Sequence, residues 1–207
     1  MMRCSVRTIL ALLVFLSSGR SAFAQQPVYS LRVDYHYGSL NPWLFYEMPI
    51  SRTAGWLSVF QMSSQGFAQI DFGPSFHLGK WQLIPQIGFE FSESQDKGAR
   101  MSHLVYEAYA LYYSGKFSFE SWNLYFSETV KDQASFFYYR DFFLFRVLPK
   151  VSFGPQVEGT AASGMTTSKY LGGQISLDLG IGSMSVFMGR ERKNEHSVFR
   201  MTFLKTF

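Results

Sequence analysis

Residues 68–91 read AQIDFGPSFHLGKWQLIPQIGFEF. In the first half Ala68, Ile70, Phe72, Pro74, Phe76 and Leu78 alternate with Gln69, Asp71, Gly73, Ser75 and His77. In the second, Trp81, Leu83, Pro85, Ile87, Phe89 and Phe91 alternate with Gln82, Ile84, Gln86, Gly88 and Glu90. Successive side chains of an extended chain point to opposite faces, so each half is a strand with one apolar and one polar face. Gly79-Lys80 supplies the turn between them. Each strand is about eleven residues long, enough to cross a hydrocarbon layer when tilted.

The same pattern recurs outward from this hairpin, at Tyr29 to Tyr37 and at Leu171 to Leu179. Turn chemistry at Ser114-Gly115-Lys116, Leu148-Pro149-Lys150 and Ile181-Gly182-Ser183 alternates with longer polar links at Glu93 to Ser102, Ser127 to Gln133, Ala161 to Lys169 and Lys193 to His196. That places strands at 197–207, 183–192, 170–180, 150–160, 135–146, 117–127, 103–113, 81–92, 67–78, 55–63 and 29–37. Single-chain barrels close with even numbers, so Trp43 to Ser51 is expected to supply the twelfth strand. A ten-strand barrel with Leu40 to Ala54 as a loop is the alternative, and a third reading folds Leu40 to Ile50 inward as a constriction. Two segments break the alternation. Arg140 and Asp141 are adjacent and cannot both face a lumen in a regular strand, which a bulge or a rim position would resolve, and Phe119 and Trp122 have opposite parity. The fold class expected is all-β, an antiparallel transmembrane barrel with short loops; a soluble sandwich or lipocalin-like barrel would also alternate, with shorter strands.

Composition agrees. Of 207 residues 47% are hydrophobic and 18% aromatic, against 16% charged, which excludes a disordered chain. The formal charge of +4 owes three units to Arg3, Arg7 and Arg20; without them 16 bases face 15 acids, which argues against a nucleic-acid partner. Residues 1–24 read as a cleaved secretory signal, with Arg3 and Arg7 ahead of the apolar run Ile9 to Leu16 and Ala22-Phe23-Ala24 as the cleavage site. Residues 25–207 then form one domain. The chain's single cysteine, Cys4, lies in the leader, so disulfides, thiolate metal sites and cysteine nucleophiles are not expected in that domain.

The closing segment, Ser197-Val198-Phe199-Arg200-Met201-Thr202-Phe203-Leu204-Lys205-Thr206-Phe207, resembles the terminal strand of Gram-negative outer-membrane barrels. The resemblance implies an outer-membrane location, contact with outer-membrane lipids, and recognition of Phe203 and Phe207 by the barrel-assembly machinery. Lys205 departs from it by interrupting the apolar face. The size, the short loops and Val33-Asp34-Tyr35-His36-Tyr37 are weakly similar to the small monomeric porins for acidic oligosaccharides, which carry rows of inward Arg and Lys.

Lipid cannot solvate charge, so any chemistry is confined to the lumen and rims. The lumen is expected to be lined by Arg32, Asp34, His36, Asp71, His77, Glu90, Glu107, Arg146, Lys150, Glu158, Asp178 and Arg200, acids and bases nearly balanced. Such a lining suits a channel for small polar or charged solutes, or else a salt-bridge network that plugs the barrel. Catalysis would need a nucleophile with a base in reach. His196-Ser197 is the candidate, as in outer-membrane lipid hydrolases, yet adjacent strand residues face opposite ways. His36, His77 and His103 lack metal-ligand spacing, and Gly172-Gly173 precedes no helix, so no metal or cofactor is expected. An adhesion barrel would display longer loops.

Overall fold

The computed structural model describes residues 26–36, 38–94, 98–129, 134–162, 167–191 and 196–207. The expected leader and Cys4 lie outside them. Twelve strands follow in order: β1 Val28–His36, β2 Ser39–Pro49, β3 Ala54–Met62, β4 Phe67–Leu78, β5 Trp81–Ser94, β6 Gly98–Tyr113, β7 Phe117–Glu128, β8 Phe136–Leu148, β9 Val151–Ala162, β10 Ser168–Asp178, β11 Ser183–Glu191 and β12 Ser197–Thr206. Each pairs antiparallel with its sequence neighbours, and β1 pairs with β12 to close the barrel. Closure leaves no edge strand, so every strand finds its hydrogen-bond partners within the wall, as a barrel in lipid must.

The doubtful segment resolves as β2. It pairs with β1 along its length, Ser30 opposite Phe45 and His36 opposite Ser39, and with β3 from Trp43 opposite Gln61 to Pro49 opposite Gly55. This removes the ten-strand and inward-loop alternatives. The entry to β2 runs through Gly38 at φ 74°, a left-handed conformation that glycine adopts without steric cost.

Both termini share one end, where Ser30 faces Thr206 and the Phe207 amide donates to the Tyr29 carbonyl at 2.8 Å. The connections expected to be long at the opposite end are shorter than read: β5 runs to Ser94 and β6 starts at Gly98, so most of the Glu93 to Ser102 link is strand. The expected bulge between Arg140 and Asp141 is also absent. β7 and β8 pair regularly there, Trp122 with Arg140 and Ser121 with Asp141, so Arg140 faces in and Asp141 out. The bulges on this wall fall instead between Glu90 and Phe91 and between Arg146 and Leu148.

Strand parity sorts the side chains. Outward stand Ile70, Ile87, Phe153, Leu171, Ile175, Met188 and Phe199, all exposed, in a belt that lipid would cover. Tyr35 and Tyr125 lie toward the loop end, Tyr106 at mid-strand, and Trp56, Trp81 and Tyr113 toward the terminal end. Inward, one side of the barrel is also apolar: Trp43, Leu57, Val59, Ile84, Val105, Trp122, Leu124 and Phe126 form a buried cluster. Small residues let charge approach the wall. A Cβ on Gly88 would lie 1.9 Å from Asp71 Oδ1, so only glycine leaves room for that carboxylate.

Candidate functional site: a septum across the lumen

Alternation puts Arg32 and Asp34 on the inward face of β1, where Arg32 Nε donates to Asp34 Oδ1 at 3.0 Å. β8 stands five strands away around the ring, nearly opposite, and contributes Arg140. Arg140 Nη1 lies 3.6 Å from Asp34 Oδ2 and Nη2 donates to Glu120 on β7 at 3.0 Å. These contacts therefore cross the lumen. Arg200 on β12 completes the set, with Nε 3.1 Å from Glu158 Oε2 and Nη1 3.8 Å from Asp34 Oδ2. Three guanidiniums thus meet three carboxylates: Asp34, Glu120 and Glu158.

Neutral groups take several of the remaining bonds, while the buried Arg140 Nε has no hydrogen-bond partner among the described residues. Thr202 Oγ1 donates to Asp34 at 2.6 Å, Gln156 Nε2 to Glu158 at 3.1 Å, and Arg200 Nη2 to the Tyr138 hydroxyl at 3.3 Å. Such satisfaction is what makes buried ions tolerable, since an unpaired one would cost several kcal/mol. Arg140 and Asp34 are each only 1% exposed. Two tryptophans extend the layer: Trp43 on β2 and Trp122 on β7 meet edge to face at 4.8 Å, again across five strands. The Arg140 guanidinium sits 4.8 Å from the Trp122 ring centre, near enough for a cation–π contact.

This layer divides the interior. Toward the terminal end lies a cavity of about 360 Å³ and toward the loop end one of about 280 Å³. Arg200 lines both. The terminal-end cavity carries the bases Arg32, Arg140, Arg146, Lys150 and Arg200 against the acids Glu120 and Asp178. The loop-end cavity carries Asp34, Glu90, His36 and Arg200 among amides and aromatic rings.

The structure places the expected lining residues as follows. Arg32, Asp34, Glu158 and Arg200 meet in the septum, with His36 Nε2 3.6 Å from Glu158. Asp71 is buried in the wall layer, both oxygens accepting from Gln69 Nε2. Glu107 accepts from Trp122 Nε1 at 2.6 Å, and Glu90 bonds Ser102 and His103 at 2.8 Å each. Arg146 is exposed and donates to the Tyr113 hydroxyl, while Asp178 ends β10 and accepts from the Gly180 amide. Lys150 stands in the β8–β9 turn at the rim, a position fixed by β8 ending at Leu148, and not on the wall. Phe203 and Phe207 point outward at the terminal rim, where the Lys205 ammonium lies 4.7 Å from the Phe207 ring centre. Lys205 thus covers that ring with its charge at the rim.

Sequence reasoning missed Glu120, Arg140, Trp43 and Trp122. Register was the missing signal: once Trp122 faces inward, its partner Arg140 and its neighbour Glu120 must do so too. It also missed Glu47, which with Ser75 and His77 forms a cluster near the terminal end. Glu47 Oε1 lies 2.7 Å from His77 Nε2 and also accepts from the Ser75 hydroxyl. This is not a hydrolytic triad. The carboxylate takes the ring nitrogen that a serine base would need, and Ser75 is fully buried. His196 and Ser197 likewise form no pair, since Ser197 faces outward at the start of β12.

No protein-family model matches the chain, and no curated protein matches it in sequence. Solved structures do match in shape. The NanC porin aligns at TM-score 0.57 over 86% of this chain and 98% of that one, with 8% identity. The KdgM porin aligns at 0.53 over 87% and 99%, with 11% identity. The fold is that of the outer-membrane porins. An outer membrane channel from Pseudomonas putida F1 shares it too, at TM-score 0.55, 10% identity and 87% and 94% coverage. Barrels of this size have room for water, and here the interior is parted by one layer of side chains.

Proposed function

We propose that this chain is an outer-membrane channel passing small polar or charged solutes by passive diffusion, with the Arg–carboxylate septum as its constriction. One observation carries the reading: two cavities of about 360 and 280 Å³, each with charged side chains in its lining, lie on either side of a single layer, and one side chain, Arg200, lines both. When Arg200 swings off Glu158, the cavities join. The excess of bases in the terminal-end cavity favours anions there, because charge in a narrow lumen acts directly on passing ions. The rest of the reading follows from the belt and the termini. Outer-membrane lipid covers the apolar face, the assembly machinery reads the strand ending in Phe203 and Phe207, and the leader is cut after Ala24.

A closed structural barrel is the second reading, favoured by the burial of the septum. One preparation separates them. Protein taken from outer-membrane fractions should begin at Gln25 by mass spectrometry and, in liposomes, should release small anions faster than protein-free vesicles. A folded barrel that releases nothing establishes the closed reading. Intact Met1 in that fraction would contradict the leader assignment.

A further inference from the structure

The outward wall carries charge that the lumen does not explain. Asp141, Lys169, Arg190 and Lys205 face outward by parity. Lys169, Arg190 and Lys205 each stand one residue from the end of their strand, where a long side chain can reach the interface. Asp141 stands in mid-strand, five residues from one end of β8 and seven from the other. Its chain is short and reaches neither interface.

Tyr139 and Phe143 flank it on β8 and Val157 faces it on β9, but toward β7 and β6 its surroundings are polar and small. Ser121 lies directly across on β7, and Asn123, the next outward residue, donates from Nδ2 to Ser121 Oγ at 2.9 Å. On β6 the partners of these two are Ala110 and Ala108. Asp141 makes no hydrogen bond or ion pair among the described residues. Tyr106 and Tyr125, stacked at 6.4 Å, bound this recess toward the loop end, and Phe119 and Phe143 bound it toward the terminal end. Lipid offers an aspartate nothing, and a polar group held at mid-depth marks a contact with something that does.

We propose that this recess seats a second copy of this chain, wall to wall about a two-fold axis, each Asn123 amide donating to the other copy's Asp141 carboxylate. The argument for self-association is complementarity. Donor and acceptor are diagonal neighbours on adjacent strands of one face, so a half-turn can bring each onto the other, as an isologous interface requires. A head-to-tail contact would need an outward cation at the same depth, and the described ones stand at strand ends. The alanines and Ser121 let two walls approach closely. This proposal rests on the outer-membrane reading.

The test uses the full chain in outer membranes. Ser121→Cys should yield a disulfide-linked dimer on oxidation, whereas wild type and Val33→Cys, on the opposite wall, should not. In mild detergent, light scattering should give twice the monomer mass, reduced to one by Asp141→Leu. Where Asp141→Leu does not assemble, Asn123→Leu serves the same purpose. A membrane-inserted monomer without the cross-link overturns the dimer and leaves the channel reading standing, and so does a Ser121→Cys cross-link to a different protein. A chain recovered from the soluble fraction overturns both.

Discussion

Arg140 holds the septum together, with Asp34 on one side, Glu120 on the other and the Trp122 ring against it. Replacing it with Met takes one cation from both Asp34 and Glu120 and leaves Arg32 to serve the two carboxylates. Removing one partner of a buried ion pair costs about 3–5 kcal/mol, so Arg140→Met should lower the urea unfolding free energy of the folded barrel by that amount. Adding Glu120→Gln should recover part of the loss, and a cost below about 1 kcal/mol would show that the network does not hold the interior. Little of this was legible in the sequence. Arg32, Asp34, Glu158 and Arg200 were readable because each follows clean alternation on its own strand. Arg140 was hidden by Asp141 beside it, since two adjacent charges suggest a defect when neither face is anchored. Glu120 was hidden by Trp122, Leu124 and Phe126, apolar residues that share its parity while Phe117 and Phe119 take the other.

The strands themselves were legible wherever one face is polar. β4, β5 and β10 show it, and their bounds shifted little between sequence and structure. β2, β3 and β7 blur because the barrel is apolar on both sides of its wall there. Trp43, Leu57, Val59, Trp122 and Leu124 face inward while Leu44, Trp56, Phe60 and Tyr125 face out. Hydropathy cannot separate lumen from lipid when both select apolar groups. β10 gives the cleaner test of facing, because Ile175 points out and its neighbour Ser176 lines the terminal-end cavity. Ile175→Arg puts charge into lipid and should cost about 2–4 kcal/mol if it stands near the midplane. Ser176→Arg enters water and should cost much less. Unfolding measured in lipid vesicles decides it, and equal costs would mean that the outer face is wet.

At the scale of the whole molecule, twelve strands enclose more space than packed side chains need, and the structure divides that space instead of filling it. Closure, strand count and the lipid-facing belt follow from alternation and even-number closure. The septum does not, because it is a contact among β1, β7, β8, β9 and β12 that exists only once the ring has formed. Its consequence for transport is direct. Among the described residues Arg200 is the one side chain that borders both cavities, and its Nε donates to Glu158 on β9. Single-channel recording in a planar bilayer, wild type beside Arg200→Ala, tests this most directly. Wild type should pass a small, steady current and Arg200→Ala one several-fold larger, with the reversal potential shifted toward cations. Equal currents from two folded proteins, or none from either, would contradict a channel gated by that layer.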